Sequence, residues 1–199
     1  MKKRIAITGG IGSGKSAVSK IIKGIGYTVF SCDEIYKEIF TQDDYVKSVD
    51  LLFDGVVKNG VIDKKALGTL IFADEKARKK LDDLSHPKIM SSLMESMQGV
   101  EADVVFAEVP LLFECGYEQC FDEIIVVLRD KQARVDAICS RDKIDKDGAL
   151  LKIQSQFDYD SPKNLPILHK NNIFLIENNS SLNDLRIQTE EACRKILQS

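Results

Sequence analysis

An eight-residue segment, Gly9–Ser16, limits the possible folds of this chain more than any other part of its sequence. It follows the short apolar run Ile5–Thr8. The segment fits the pattern G-x-x-x-x-G-K-[ST] at every fixed position. Its glycines allow backbone conformations in which successive N–H groups point into one concavity and cradle phosphate oxygens. The sequence therefore predicts a phosphate-binding loop that connects a strand to a helix.

The residues of this loop have distinct predicted roles. Lys15 adds a mobile positive charge for the phosphates, and the Ser16 hydroxyl is a predicted ligand for Mg²⁺. The helix that starts after them directs the positive end of its dipole at the same anion. The predicted nucleotide-binding residues are Gly9, Gly10, Ile11, Gly12, Ser13, Gly14, Lys15 and Ser16.

Composition limits the partners that such a chain can have. A length of 199 residues, 44% of them hydrophobic, allows one substantial core rather than two independent ones. A formal net charge of −3 argues against a general nucleic-acid or membrane-surface binder, because those proteins usually carry a net basic surface. The apolar run near the N-terminus is too short for an export signal or a membrane span. We expect small-molecule substrates, no nucleic acid and no membrane.

The cysteine and histidine content predicts the cellular compartment. Five cysteines form no C-x-x-C pair, and the two histidines are far apart in the sequence. This pattern is typical of reduced cytosolic thiols and does not match a zinc site. We expect a cytoplasmic protein that is a monomer, with a higher oligomer left open.

Apolar runs alternate with helical patterns along the chain, which is typical of a parallel sheet covered by helices. The predicted fold class is α/β, with a parallel β-sheet core of the phosphate-loop NTPase type, helices on both faces and two insertions. Strands are expected at Arg4–Thr8, Tyr27–Phe30, Asp103–Ala107, Ile124–Leu128 and Ile173–Ile176.

Two intervals between these strands are too long for one crossover helix, so each is predicted to be an insertion. Residues 39–98 show helical periodicity with a break expected at His86-Pro87, because proline restricts the residue before it. Residues 131–169 begin with a charged helix and continue into polar, proline-containing sequence. This second insertion offers little apolar surface to anchor it, and we expect it to be mobile. The remaining segments, 1–38, 99–130 and 170–199, form the predicted nucleotide-binding core.

A phosphate loop alone does not distinguish kinases from motors and switches, so residues after the other strands have to decide. In a parallel sheet, ligands bind outside the carboxyl ends of the strands. Asp33 follows the second predicted strand, where its carboxylate would orient an acceptor hydroxyl and take its proton. The alternative is that Asp33 is the N-cap of a helix predicted at Glu34–Phe40, since aspartate is a favoured N-cap. The sequence leaves both interpretations open.

Three further charged residues belong to the predicted chemistry. Glu108 follows the third predicted strand, where an acidic residue often assists Mg²⁺; a solvated strand end is the alternative. Arg134 and Arg141 are seven residues apart and therefore lie on one face of a predicted helix. They would swing over a bound triphosphate and neutralise developing charge, unless they only form a solvated face with Asp136 or Asp142.

Several motifs resemble those of the dephospho-coenzyme A kinase family, in that family's order and along nearly the whole chain. The run Pro110-Leu111-Leu112-Phe113-Glu114 is, with the phosphate loop, the most specific of them. The others are Cys32-Asp33, Ala66-Leu67…Ile71-Phe72 followed by His86-Pro87, and Arg141-Asp142 followed by Gln156.

The resemblance implies a reaction and a set of roles. The reaction is the ATP-dependent phosphorylation of the ribose 3′-hydroxyl of dephospho-CoA, giving CoA and ADP with Mg²⁺, the last step of coenzyme A biosynthesis. Residues 39–98 would be the acceptor domain that binds the CoA moiety, and 131–169 the lid. The family's base role falls on Asp33, with Lys15 and Arg141 as the other catalytic residues. The implied substrate contacts come from Lys37, His86, Pro110, Leu111 and Leu112, and the contact that encloses adenine comes from Asn178.

Some positions differ from the family's usual residues. Ser31-Cys32-Asp33 stands where Asp-Ala-Asp is common, Lys37 stands where arginine is common, and Ala137 stands where a lid arginine is frequent. A second carboxylate and a bidentate guanidinium are thus missing from these positions. We expect these differences to affect substrate affinity more than the chemical step.

Two other functions compete with this one. A phosphate-loop kinase of a nucleoside monophosphate or another small hydroxyl compound would share the loop, but not the Pro-Leu-Leu-Phe-Glu run or the insertion with His86-Pro87. A GTP-dependent switch would carry the guanine-reading motif N-K-x-D after a late strand, and Asn178-Asn179-Ser180-Ser181 does not match it.

Overall fold

The structure of the protein, a computed structural model, describes residues 2–198. None of the helices it describes is both long enough and apolar enough to cross a membrane. In chain order the elements are β1 (Lys3–Thr8), α1 (Lys15–Gly24), β2 (Val29–Ser31), α2 (Cys32–Ile39), α3 (Asp43–Leu52), β3 (Val57–Lys58), β4 (Val61–Ile62), α4 (Lys64–Ala73), α5 (Glu75–Gly99), β5 (Val104–Glu108), β6 (Glu123–Leu128), α6 (Lys131–Asp142), α7 (Lys146–Gln154), α8 (Leu165–Leu168), β7 (Ile173–Glu177) and α9 (Leu182–Gln198), with short 3₁₀ turns at Glu118–Cys120 and Pro162–Asn164.

A five-stranded sheet in the order β2-β5-β1-β6-β7 organises the nucleotide-binding part of the chain. Strand β1 runs parallel to both β5 and β6, and β6 runs parallel to β7. Ile7, near the end of β1, pairs with Glu108 on one side and with Ile125 on the other. The register thus brings the end of β5 next to the start of the phosphate loop. The predicted parallel α/β fold is confirmed, with each expected strand present.

The sheet is stable because helices bury one of its faces. Side chains of α1 and α9 pack against the apolar residues of the strands in one continuous cluster. Each fully buried isoleucine, leucine or phenylalanine contributes about 1.5–3 kcal/mol relative to an exposed one. The strand residues of the cluster include Ile5, Ile7, Phe106, Ile125, Val127 and Ile176, and the helix residues include Val18, Ile22, Leu185 and Ile196.

The chain divides into two compact units, and one of them is the segment Ser31–Gly99. The other unit contains the sheet, the phosphate loop and everything that follows Gly99. The sequence placed the start of the first insertion at residue 39, so it assigned α2 to the core, whereas α2 belongs to the unit Ser31–Gly99. The predicted lid, 131–169, is part of the same unit as the sheet.

The unit Ser31–Gly99 has its own buried residues. Helix α5 packs with α2 and α4. Tyr45, Leu93 and Met97 are fully buried, and Tyr45 Oη shares a 2.7 Å hydrogen bond with Ser85 Oγ. The sequence did not predict the small antiparallel hairpin β3–β4, in which Val57 pairs with Ile62. Two-residue strands are too short to produce a readable alternation of polar and apolar residues.

The expected helix break at His86-Pro87 was wrong, because α5 runs without interruption from Glu75 to Gly99. Pro87 has no N–H group to donate to the preceding turn, and its side chain is exposed. The residues Leu81, Met90 and Leu93 are buried on both sides of it. The packing of this apolar face outweighs the local preference of proline, as tertiary contacts commonly do for helices.

The second insertion is better anchored than its sequence suggested. Val135 and Ile138 of α6 pack with Ala149 and Ile153 of α7 in a small buried cluster. Ile11 of the phosphate loop packs against this cluster. The expectation of little apolar surface was therefore wrong, because the apolar residues of two short charged helices become one surface only when the helices pair.

Candidate active site

The phosphate loop joins β1 to α1 and has the backbone geometry that its glycines predict. Gly9, Gly12 and Gly14 have φ values of 144°, 78° and 101°, which residues with side chains rarely adopt. Gly14 is also the N-cap of α1, so this helix begins at Lys15. The positive end of the α1 dipole consequently lies at the loop, as an anion site requires.

Side chains from outside the loop bind the carbonyl groups of its middle residues. The donors come from the residue after β6, from α6 and from the residue after β7. They are Arg134 Nε to Ile11 O at 3.1 Å, Arg129 Nη1 to Gly12 O at 3.2 Å, and Asn178 Nδ2 to Ser13 O at 2.8 Å. Because these carbonyls are bonded to protein side chains, the loop conformation is fixed without help from a ligand.

The remaining carbonyls are bound from within the loop. Lys15 Nζ donates to Gly9 O at 2.8 Å and to Gly10 O at 3.2 Å. Lys15 is buried, with 9% of its surface exposed to solvent. Every carbonyl from Gly9 to Ser13 thus has a donor. These bonds hold the loop backbone in place, and a backbone that is already in place binds developing charge at a low cost for reorganisation.

Glu108 is the last residue of β5 and lies beside the hydroxyl residue of the loop. Its Oε1 accepts a hydrogen bond from Ser16 Oγ at 2.9 Å, and its Oε2 accepts one from Ser19 Oγ at 2.8 Å. Across residues 2–198 there is no group of three or more His, Cys, Asp or Glu side chains that could hold a metal ion. A cation at Ser16 and Glu108 would therefore need further oxygen ligands from phosphate groups or water.

The two arginines of α6 occupy different environments. Arg134 is 3% exposed, and its guanidinium lies against the phosphate loop, with Nη1 3.6 Å from Asp160 Oδ2. Arg141 is exposed and pairs with Asp142, its Nε 2.7 Å from Oδ1. Hydrogen bonds from Arg141 and Lys152 hold the pKa of the Asp142 carboxyl well below its usual value. The structure therefore brings Arg134 to the loop but leaves Arg141 at the exposed end of the helix.

Segment 156–160, which follows α7, contacts the phosphate loop and the end of β1. The Oε1 atom of Gln156 accepts a hydrogen bond from Ile11 N–H at 2.6 Å, and Tyr159 Oη lies 3.5 Å from Thr8 Oγ1. Burial raises the pKa of the Tyr159 hydroxyl well above its usual value. Together with Asp160 near Arg134, these contacts tie the segment to the first half of the loop.

The Pro-Leu-Leu-Phe-Glu run supports segment 156–160. The Phe113 ring packs 4.9 Å from Phe157 and 6.2 Å from Tyr159 between ring centroids. Glu114 Oε1 accepts a hydrogen bond from Phe157 N–H at 2.8 Å. Leu112 is fully buried, so its side chain presents no surface to a ligand in this structure. The predicted contacts of Pro110 and Leu111, which are partly buried, stay predictions.

Asn178 has a position that the sequence did not suggest. It follows β7 and reaches the phosphate loop so closely that a Cβ atom on Gly14 would lie 2.2 Å from Asn178 Nδ2. The next residue, Asn179, accepts a hydrogen bond from Asp130 N–H at 2.8 Å. The structure thus gives Asn178 a role in holding the loop; its predicted contact with adenine remains a prediction.

Asp33 is placed in the first turn of α2, and it is not the N-cap. That cap is Ser31, whose Oγ accepts a hydrogen bond from Glu34 N–H at 3.4 Å. The cap interpretation of Asp33 was therefore wrong, because the helix begins two residues earlier than the sequence indicated. Asp33 and Lys37 are both exposed and one turn apart, so their side chains lie on one face of α2.

His86 lies inside α5 and not at a helix junction. Its Nε2 is 3.7 Å from Asp82 Oδ1, one turn earlier, and its side chain is partly buried. Both residues of the pair lie in the unit Ser31–Gly99. The predicted contact of His86 with the substrate stays a prediction.

Together, the sheet and the loop define a class of protein. A parallel sheet, a phosphate loop after its central strand and a carboxylate bonded to the loop serine are the features of a phosphate-loop nucleotide-binding protein. A profile of the dephospho-CoA kinase family matches residues 3–184, and the chain belongs to that family. It is accordingly a phosphotransferase that uses ATP as the phosphoryl donor.

Individual relatives agree with the family match over the full length. The dephospho-CoA kinase of Fusobacterium nucleatum is 35% identical over 194 residues, which is 96% of this chain and 97% of the relative. A crystal structure from Thermus thermophilus has a TM-score of 0.78 at 30% identity and covers 99% of this chain and 97% of its own. The dephospho-CoA kinase structure from Campylobacter jejuni has a TM-score of 0.70 at 28% identity, with 98% of each chain covered.

Sequence reasoning missed the residues that hold the loop carbonyls. Arg129 was not singled out, and Arg134 was expected over the triphosphate instead of against the loop. The contact of Ser19 with Glu108 was missed as well, although its spacing of three residues from Ser16 places both hydroxyls on one face of α1. The only sequence feature that marks Arg129 is its position directly after a buried strand. Many surface cations share that feature.

Proposed function

We propose that this chain transfers the γ-phosphoryl group of ATP to the ribose 3′-hydroxyl of dephospho-CoA. The hydroxyl oxygen forms the new bond to the γ-phosphorus while the bond from that phosphorus to the β–γ bridging oxygen breaks. The products are CoA and ADP. The observation that carries the proposal is the family match over residues 3–184 together with a phosphate loop whose Ser16 is bonded to Glu108.

The phosphate loop is the proposed donor site. Its N–H groups and the start of α1 bind the β- and γ-phosphate oxygens, as in other phosphate-loop proteins. Lys15 contributes a positive charge to the same oxygens after exchanging its bonds to Gly9 and Gly10. This supports a site in which positioning and charge neutralisation account for most of the catalysis.

The residues at the loop serine fit the predicted Mg²⁺. Mg²⁺ is bound through oxygen ligands, commonly one or two carboxylates together with substrate phosphates and waters. The Ser16 hydroxyl and the Glu108 carboxylate, 2.9 Å apart, supply such oxygens. When bound, the ion would neutralise charge on the β- and γ-phosphates. Ser19 supports this role by fixing the second oxygen of Glu108.

The acceptor site is proposed to lie in residues 39–98 together with the start of α2. Asp33 accepts a hydrogen bond from the 3′-hydroxyl, orients it towards the γ-phosphorus and takes its proton. Its exposed position and its freedom from the capping role support this assignment. Lys37, one turn later, is proposed to bind an anionic group of the acceptor, and His86 belongs to the same acceptor domain.

The second insertion, 131–169, is the proposed lid. Arg141 is proposed to reach the nucleotide from the end of α6, which requires it to leave its bond with Asp142. Asn178 is proposed to border the adenine while its side chain holds Ser13. ATP as the donor is in keeping with the cytoplasmic location that the sequence predicts.

Incubation with ATP, Mg²⁺ and dephospho-CoA tests the function directly. The product mass should increase by one phosphoryl group, and NMR of the product should place that group on the 3′-oxygen of the ribose. Dephospho-CoA should exceed adenosine and AMP by several orders of magnitude in kcat/KM, because remote binding energy is used to orient the reacting hydroxyl. Equal turnover of AMP and dephospho-CoA would favour a kinase of another small acceptor.

A further inference from the structure

Gly10 differs from the other glycines of the phosphate loop. Gly9, Gly12 and Gly14 have positive φ values that favour glycine, whereas Gly10 does not have a positive φ. The phosphate-loop pattern also leaves this position open to any residue. Neither the local backbone nor the motif therefore requires a glycine here, and the reason has to lie in what surrounds it.

The guanidinium of Arg134 occupies the space that a side chain at position 10 would fill. A Cβ atom on Gly10 would lie 2.4 Å from Arg134 Nη2 and 2.7 Å from Arg134 Cζ. The three nearest atoms to that Cβ all belong to Arg134. A side chain at position 10 would therefore displace the arginine and not the backbone.

Arg134 cannot move freely to make that space. It is 3% exposed, its Nε is bonded to Ile11 O at 3.1 Å, and its Nη1 lies 3.6 Å from Asp160 Oδ2. Moving the guanidinium would break the bond to Ile11 and leave a buried charge without its partners, which is costly. The arginine is thus held on one side by the loop backbone and on the other by segment 156–160.

The backbone of Ile11 is hydrogen-bonded at its carbonyl by α6 and at its N–H group by segment 156–160. Arg134 binds its carbonyl, and Gln156 Oε1 accepts from its N–H at 2.6 Å. Its side chain packs on the apolar cluster of α6 and α7. The conformation of the loop between Gly10 and Gly12 is consequently set by α6 and segment 156–160.

We propose that Arg134, seated in the space left by Gly10, is a positioning residue that fixes the first half of the phosphate loop for nucleotide binding. It acts through the backbone of Ile11 and not by touching the reacting atoms. The inference rests on the proposed function only in that the loop binds ATP; it does not depend on the identity of the acceptor.

The test is a double-mutant cycle with Gly10→Ala, Arg134→Ala and the double variant, measured as the Kd for ATP with Mg²⁺ by titration calorimetry. Each single substitution should weaken binding by about 10- to 100-fold, the scale for losing a buried hydrogen bond to a charged group. The double variant should be no more than about 2-fold weaker than the weaker-binding single variant, because both changes disrupt the same contact.

Arg134→Lys separates positioning from charge. Lysine keeps the positive charge but lacks the planar fork that binds Ile11 O and Asp160 together, so it should not restore ATP binding. Lys131→Ala is the matched control, because it removes an exposed positive charge from the first turn of the same helix. It should bind ATP like the unmodified chain, and the KM for dephospho-CoA at saturating ATP should stay unchanged in every variant.

Three results would overturn the proposal. They are a normal ATP Kd in Gly10→Ala, a double variant whose loss equals the product of the two single losses, and full binding in Arg134→Lys. Circular dichroism and the Tm of each variant are measured in parallel, and binding is compared at a temperature where all are folded. If the unmodified chain binds ATP but does not phosphorylate dephospho-CoA, the acceptor is wrong while the cycle still decides the role of Arg134.

Discussion

The phosphate loop and the first turn of α2 carry most of the proposed chemistry, and they are built in opposite ways. In the loop, each carbonyl from Gly9 to Ser13 accepts a hydrogen bond, and Lys15 is nearly buried. In α2, Asp33 is exposed, and Ser31 caps the helix in its place. A loop whose backbone is held in place binds a phosphate with little reorganisation, whereas a carboxylate that takes a proton has to be within hydrogen-bond reach of the acceptor hydroxyl. In the proposed reaction, the fixed loop would bind the phosphates of ATP, and the exposed Asp33 would be accessible to the acceptor hydroxyl.

The largest effect is expected from Lys15→Ala, which should lower kcat by about 10⁴-fold or more, because no other side chain replaces its charge on the phosphates. Lys20→Ala removes an exposed lysine from the same helix and should leave turnover normal. Steady-state kinetics measure the effect, and circular dichroism checks the fold. Near-normal activity of the Lys15 variant would mean that this loop is not the active phosphate site.

Asp33→Asn should lower kcat by about 10²- to 10⁴-fold, the usual scale for general acid–base catalysis, with little change in ATP affinity. Single-turnover kinetics at saturating substrates measure the chemical step. Glu34→Gln is the matched control, since it removes an exposed carboxylate from the same first turn. Both variants should lose the same ~0.3–1 kcal/mol of helix-dipole stabilisation, so only kcat separates them. A kcat for Asp33→Asn within about threefold of normal would exclude the base role.

Glu108→Gln should raise the Mg²⁺ concentration needed for half-maximal activity by about 10- to 100-fold, the scale for losing a residue that supports a metal site. Glutamine can bond to both serines, accepting through its one side-chain oxygen and donating through its amide nitrogen, but it has no charge for the cation. Ser19→Ala should have a smaller effect of the same kind, because it only releases one oxygen of Glu108. Kinetics over a Mg²⁺ titration would contradict a metal role if both variants match the unmodified chain.

The smallest effect concerns two buried tyrosines, one in each unit. Burial raises the pKa of both Tyr159 and Tyr45 above the ordinary value near 10. Below about pH 10 both tyrosines are neutral in the folded and in the unfolded chain, and their contribution to stability is fully present. Above that pH they ionise in the unfolded chain before they ionise in the folded one, which lowers the free energy of unfolding. The urea midpoint should therefore fall above about pH 10, and fall less in Tyr159→Phe and Tyr45→Phe.

The same two variants distinguish the region around the phosphate loop from the unit Ser31–Gly99. The hydroxyl of Tyr159 lies near Thr8, so Tyr159→Phe should also raise the KM for ATP, by at most about threefold for one weak hydrogen bond. Tyr45→Phe loses its bond to Ser85 and should leave the KM for ATP unchanged. Equal slopes of stability against pH in all three proteins would contradict the assigned role of burial.

Local sequence determined the phosphate loop, the position of each strand of the main sheet and the family. The glycines, Lys15 and Ser16 form a motif that is read within eight residues, and a strand buried on both faces appears as a continuous apolar run. The placement of Glu108 followed from the same logic, because the carboxyl ends of parallel strands share one edge of the sheet.

Other predictions failed where distant residues decide the outcome. Pro87 should have ended a helix, but the buried residues on both sides of it keep α5 continuous. Asp33 was an equally good N-cap by its chemistry, and only the hydrogen bond from Glu34 N–H to Ser31 identifies the cap. The second insertion lacked an obvious apolar face because its cluster is divided between two helices.

The phosphate loop could thus be read from the amino-acid sequence alone, since a motif and its strand context are local properties, and the family followed from the order of several such motifs. Which side chains hold the loop depended on the tertiary fold. Arg129, Arg134 and Asn178 lie more than 100 residues from the loop in the chain, and nothing in their own neighbourhoods shows that they bind its carbonyls. The position of a long side chain depends on what the fold places opposite it, which explains why Gly10 acquired its significance only next to Arg134.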